Sequence, residues 1–140
     1  MAELKDNGPS PFVVDIEEVT LENDTFRTAL WTGEKIQLTL MSIPVGGDVG
    51  LEVHKKEDQF LRIEKGRGLV QMGPAADEVT FEEEVGDDWA VLVPVGVWHN
   101  IKNIGDEPMK IYSIYGPPHH AHGTVHQTQA DDHDDHDHDH

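Results

Sequence analysis

Glu52, His54, Gln59 and His99 are the residues of this 140-residue chain whose types and spacing could hold a metal ion. The inference starts from alternation, because successive strand residues point to opposite faces. Over residues 59–64, the set Gln59, Leu61, Ile63 opposes the set Phe60, Arg62, Glu64, and the charged set belongs in water. Over residues 98–103, His99 shares a face with Ile101 and Asn103, while Glu52 and His54, two apart, point to one side. Four polar side chains therefore project with the apolar set. Leaving each buried and unpaired would cost on the order of a few kcal/mol, and a single cation satisfies all four. Both imidazoles, the carboxylate and the amide oxygen suit a divalent Mn, Fe, Zn or Ni ion. With open positions, that ion would serve as a Lewis acid toward a small oxygenated molecule. Asp58 competes with Gln59 for the third position; alternation points it away, and only a bulge at the strand start would turn it inward. Lys56 and Glu57 read as solvated turn residues.

The elements that must position these groups are short. Turn signals recur at Asn23-Asp24, Thr32-Gly33, Gly46-Gly47, Gly66 to Gly68, Gly73-Pro74, Gly86-Asp87, Pro94 to Gly96, Gly105-Asp106 and Gly116 to Pro118. Between them, residues 36–43, 59–64, 68–72, 79–81, 89–93, 98–103 and 109–115 are rich in β-branched and aromatic types and predict strands. No segment keeps a helical period over three turns; residues 16–21 are too short and too β-branched. The class is all-β, a sandwich or barrel. The length suits one domain, divided here into an N-terminal arm (1–14), a barrel (15–118), a C-terminal extension (119–129) and an Asp/His tail (130–140).

Composition narrows the partners. Formal charge is −18, of which six aspartates from Asp131 onward contribute −6. That balance disfavours nucleic acid and anionic membranes as partners and leaves small molecules. With no cysteine, disulfides, thiolate metal sites and cysteine nucleophiles are excluded. The polar start MAELKDNGPS lacks the apolar core of a signal peptide, and no apolar run reaches membrane-spanning length. The expectation is a cytoplasmic protein.

The same residues carry a resemblance to the cupin family. Its first motif is Gly, five residues, His, one residue, His, four residues, Glu, six residues, Gly. Here Gly46, Glu52, His54, Gln59 and Gly66 keep every interval, with Glu for the first His and Gln for the Glu. Its second motif ends Pro, one residue, Gly, two residues, His, three residues, Asn, matched by Pro94, Gly96, His99 and Asn103. The motif's opening Gly falls on Asp88, so Gly86 is expected to make that turn two residues early. The resemblance spans about residues 36–115 and implies a jelly-roll barrel of six to eleven strands with Glu52, His54, Gln59 and His99 as its metal set. The chain is also similar to small single-domain cupins called mannose-6-phosphate isomerase-like. That similarity implies a sugar or sugar-phosphate isomerase type of reaction, with catalytic residues unassigned; Glu57, Tyr115, His119 and His126 are the available bases. A two-His, one-carboxylate Fe(II) oxygenase and a non-catalytic small-molecule or metal-handling protein are the alternatives.

Four histidines, His119, His120, His122 and His126, fall within eight residues. One reading is a flap over the barrel mouth, with His119 or His126 as an acid–base group. The reading adopted is an extended arm packed on a neighbouring subunit, its histidines solvated. An apolar strand near Phe12-Val13-Val14 suggests strand exchange in a homodimer. The Asp/His tail reads as disordered by composition and as a loose multi-site metal binder or a solubilising segment.

Overall fold

The structure, a computed structural model, describes residues 4–132; most of the Asp/His tail lies outside them. Among the described residues, nine strands follow helix α1 (Ile16–Glu22): β1 (Arg27–Thr32), β2 (Gln37–Ile43), β3 (Asp58–Lys65), β4 (Gly68–Gly73), β5 (Phe81–Val85), β6 (Ala90–Val93), β7 (Trp98–Asn103), β8 (Met109–Gly116) and β9 (Val125–His126), and residues 129–132 are again helical. They form a six-stranded sheet, β6-β3-β8-β2-β1-β9, and a three-stranded sheet, β5-β4-β7. All the pairings are antiparallel. The all-β jelly-roll class expected from the sequence is the observed one.

The large sheet has two apolar faces. Its inner face meets the small sheet through a core that includes Met41, Ile43, Leu61, Ile63, Ile101 and Ile111. Its outer face, at Leu30 and Leu40, is covered by Val19 of α1 and by Phe12 and Val14 of the N-terminal arm. Alternation along β8 shows the division, since Met109, Ile111, Ser113 and Tyr115 are buried while the residues between them are half-buried.

Four sequence expectations need correction. Residues 16–22 are helical: the Asp15 carboxylate accepts from Glu18 N at 3.1 Å, and Glu17 and Glu18 lie in the first turn. A satisfied N-terminus and one buried face outweigh the β-branched composition. β1 has no counterpart in the sequence reading, because its four consecutive buried residues, Arg27 to Leu30, are covered on both faces and show no alternation. Residues 11–15 form no strand; Phe12 and Val14 pack on the outer face of the sheet, and Val13 is exposed. Finally, Asp88 itself adopts φ 72°, the left-handed value the motif's glycine would take, and Gly86 does not. Asp tolerates this region better than most residues, and the Asp88 carboxylate receives Arg62 Nη2 at 3.1 Å.

Candidate metal centre

Glu52 and His54 do not lie on a regular strand. Instead, Glu52 makes an isolated antiparallel bridge with His99, their backbones exchanging hydrogen bonds of 3.1 and 2.9 Å. Just beforehand, Val49 N donates to Ile101 O at 2.9 Å, stitching the segment along the edge of β7. His54 is fixed two residues later, its carbonyl accepting from Gly96 N at 2.8 Å. The Asn103 side chain anchors this region, with Nδ2 donating to Ile43 O at 3.1 Å and Oδ1 accepting from Gly105 N at 2.9 Å.

These contacts bring Glu52, His54 and His99 together, with one ligand atom from each within 4.8 Å of the others. The His54 and His99 ring centroids are 5.0 Å apart, and Glu52 Oε1 lies 3.8 Å from His54 Nε2. His54 is buried and neither ring nitrogen makes a hydrogen bond of ordinary geometry. Burial, then the neighbouring His119 and His99 rings, push its pKa down to about 3, so it is neutral at pH 7. Burial lowers His99 as well. His99 Nδ1 sits 3.2 Å from Val97 O, which favours the Nδ1–H tautomer and leaves Nε2 as the lone-pair nitrogen.

Gln59 is buried on β3 between Val93 and Tyr115. Its Nε2 donates to Ser113 Oγ at 2.8 Å, while Oε1 is buried without a hydrogen bond of ordinary geometry, and the amide lies close enough to His54 to act on it. Asp58 is exposed and its carboxylate accepts from Val95 N at 3.0 Å, so it caps a turn away from this cluster. Buried imidazole nitrogens and an amide oxygen without well-formed hydrogen bonds are what a cation would satisfy; the donor set fits a divalent ion.

A second group adjoins the first. Glu57, expected in solvent, is buried, and its Oε1 lies 2.8 Å from His119 Nδ1. The His119 ring is 4.5 Å from His54 and stacks on Tyr115 at 5.7 Å. His54, Glu57 and His119 also bring ligand atoms within 4.8 Å of one another. Gln37, wholly buried at the end of β2, places this segment: its Oε1 accepts from His119 N at 3.1 Å and His120 N at 2.8 Å, and its Nε2 donates to His120 O at 2.9 Å. The C-terminal segment thus folds back over its own barrel. His119 and His120 are half-buried and His126 is buried; His122 alone of the four is exposed, bonded to Gly8 O at 2.8 Å. The solvated arm expected from the sequence is therefore corrected, because backbone hydrogen bonds to a buried glutamine hold the segment inward.

Residues 39–115 match the cupin domain. This chain is a member of the cupin family. It is 59% identical over 128 residues, 91% of its length, to the uncharacterized protein YrkC of Bacillus subtilis, covering 69% of that protein. A crystal structure of BH2720 from Bacillus halodurans superposes with a TM-score of 0.92 at 59% identity, over 93% of this cupin and 98% of that chain. The L612 protein of Acanthamoeba polyphaga mimivirus is 33% identical over 120 residues, 85% of this chain and 73% of its own. No helix among the described residues is long and apolar enough to cross a membrane.

Proposed function

We propose that this cupin is a metal-dependent enzyme that moves a proton on a small oxygenated molecule, with Glu52, His54, Gln59 and His99 holding the ion. The observation that carries the reading is His54, a buried neutral imidazole with no hydrogen bond of ordinary geometry at either nitrogen, set among a carboxylate, a second imidazole and the amide of Gln59. A divalent ion bound there supplies Lewis-acid polarisation of a substrate carbonyl or hydroxyl oxygen. Ser113 orients the Gln59 amide, and Val97 O orients His99.

Proton transfer falls to His119. Glu57 holds its Nδ1, which fixes the ring and leaves Nε2 as the lone-pair nitrogen. The ring lies beside His54, so a carbon next to a polarised carbonyl would fall within its reach. That adjacency favours isomerase or related enolisation chemistry over oxygenation. The test is solvent-deuterium incorporation, followed by NMR, into glyceraldehyde and pyruvate by the metal-loaded protein. Exchange that disappears in Glu57→Gln while metal remains bound supports the reading. Oxygen consumption by the iron form without deuterium exchange would replace it with oxygenase chemistry, and neither activity would leave a binding protein.

A further inference from the structure

Arg27 is a buried cation that the proton-transfer chemistry does not use. It precedes Thr28, whose partner across the sheet is Leu40 of the outer face, so Arg27 takes the barrel side. There its Nη2 lies 3.8 Å from Met41 Sδ, and its guanidinium carbon sits 5.3 Å from the Phe26 ring. The side chain is 1% exposed. Nη1 donates to Asp132 Oδ1 at 2.6 Å and lies 3.3 Å from His126 Nδ1. Nε and the Tyr115 hydroxyl are buried without a hydrogen bond of ordinary geometry, and Tyr115 lies close enough to act on the guanidinium.

This cation belongs to the same interior as the donor cluster. Tyr115 is 5.5 Å from His54 and 5.3 Å from His120, and His120 is 6.0 Å from His126 beside Arg27. The positive charge of Arg27 acts on Tyr115, Glu52 and His54. A buried guanidinium is costly without a matched anion. Its anion here, Asp132, comes not from the barrel but from the C-terminal segment that folds over it.

We propose that Arg27 is the substrate-recognition residue of the barrel, a seat for the carboxylate of a small hydroxy- or keto-acid, and that Asp132 occupies that seat until substrate displaces it. The inference rests on the reading of the interior as a substrate site and narrows its substrate class. The chemistry favours a carboxylate over a phosphate. Of the ten Lys and Arg in the sequence, Arg27 is the one that is buried. One guanidinium matches one carboxylate in charge and planar geometry, and the group that fills the seat here, Asp132, is itself a carboxylate. Asp132 meets Arg27 through Oδ1 and Nη1, and a free carboxylate can take the two-point geometry that guanidinium prefers.

The test uses the full chain and the variants Asp132→Asn and Arg27→Gln, metal-free and metal-loaded. Thermal unfolding is followed with formate, acetate or inorganic phosphate at matched ionic strength, and pyruvate binding is followed by calorimetry. Asp132→Asn should be destabilised and restored by formate or acetate but not by phosphate. Its affinity for pyruvate should exceed that of the unaltered chain by about tenfold, the effect of removing a competitor that fills the seat nine-tenths of the time. Arg27→Gln should lose pyruvate binding and keep its metal. If Asp132→Asn folds only when formate is added, that is the same positive result. Failure with every anion, equal rescue by phosphate, or pyruvate binding indifferent to both substitutions would overturn the proposal. Formate rescue needs no metal and no turnover, so it can succeed where the enzymatic reading fails.

Discussion

Glu52 and His99 face each other across a single antiparallel bridge, 47 residues apart in sequence, with their backbones hydrogen-bonded in both directions. The side chains of such a pair point to one face of the sheet, close together. This bridge lets a carboxylate stand where the cupin motif has a histidine and still share a site with His54 and His99.

Gln59 depends on Ser113 for its orientation. Ser113→Ala should leave the fold intact and weaken metal affinity by roughly tenfold, as loss of a partner behind a ligand commonly does. Competition with a chromophoric chelator measures it. An affinity equal to that of the unaltered protein would remove Gln59 from the donor set.

The metal-free protein should lose stability as the medium is acidified. His54 titrates at about 3 when folded and near about 6.5 when unfolded. Between those values the unfolded chain binds the extra proton, so stability falls as pH drops through that window and is fully retained above it. Urea midpoints at about pH 7.5 and about pH 5 should therefore differ, and His54→Gln should reduce the difference. A slope unchanged by the substitution would assign the acid sensitivity to other groups.

Glu57 lies against His119 at 2.8 Å and outside the proposed donor set. Glu57→Gln should reduce proton exchange by about 10²–10⁴-fold, because His119, the acid–base group, loses the carboxylate that fixes its tautomer, while metal content stays the same. Steady-state NMR exchange rates with elemental analysis on the same sample decide it. Loss of metal with activity would make Glu57 a ligand instead.

Asp88 occupies a left-handed position at φ 72°. Asp88→Gly should be more stable than Asp88→Ala by about 1 kcal/mol, since only glycine is unpenalised there. The exposed contact with Arg62 is lost equally in both variants, so it cancels from the comparison. Equal stabilities would mean the turn relaxes.

How much of this was readable beforehand varied with the reach of the interactions. Gly46, Gly66, Pro94 and Gly96 announced the cupin turns, and alternation put Gln59, Leu61 and Ile63 on one face, as they are. Both are local signals. α1 was missed because a seven-residue helix owes its existence to Asp15 and to burial of Val19 rather than to periodicity. Glu57 looked solvated because its partner, His119, lies 62 residues away. Arg27 gave no signal, since a lone arginine in a run reads as surface and its counterion is Asp132, 105 residues on. The arm histidines turned inward because of Gln37, a polar residue at a strand end with no motif of its own.

The central claim is that one ion sits among Glu52, His54, Gln59 and His99. Elemental analysis of the chain lacking residues 133–140, combined with anomalous scattering from its crystals, tests it most directly. The account predicts about one divalent ion per chain, its peak within coordination distance of His54 and His99. Metal that leaves entirely with the tail, or a peak bound elsewhere on the barrel, would contradict it.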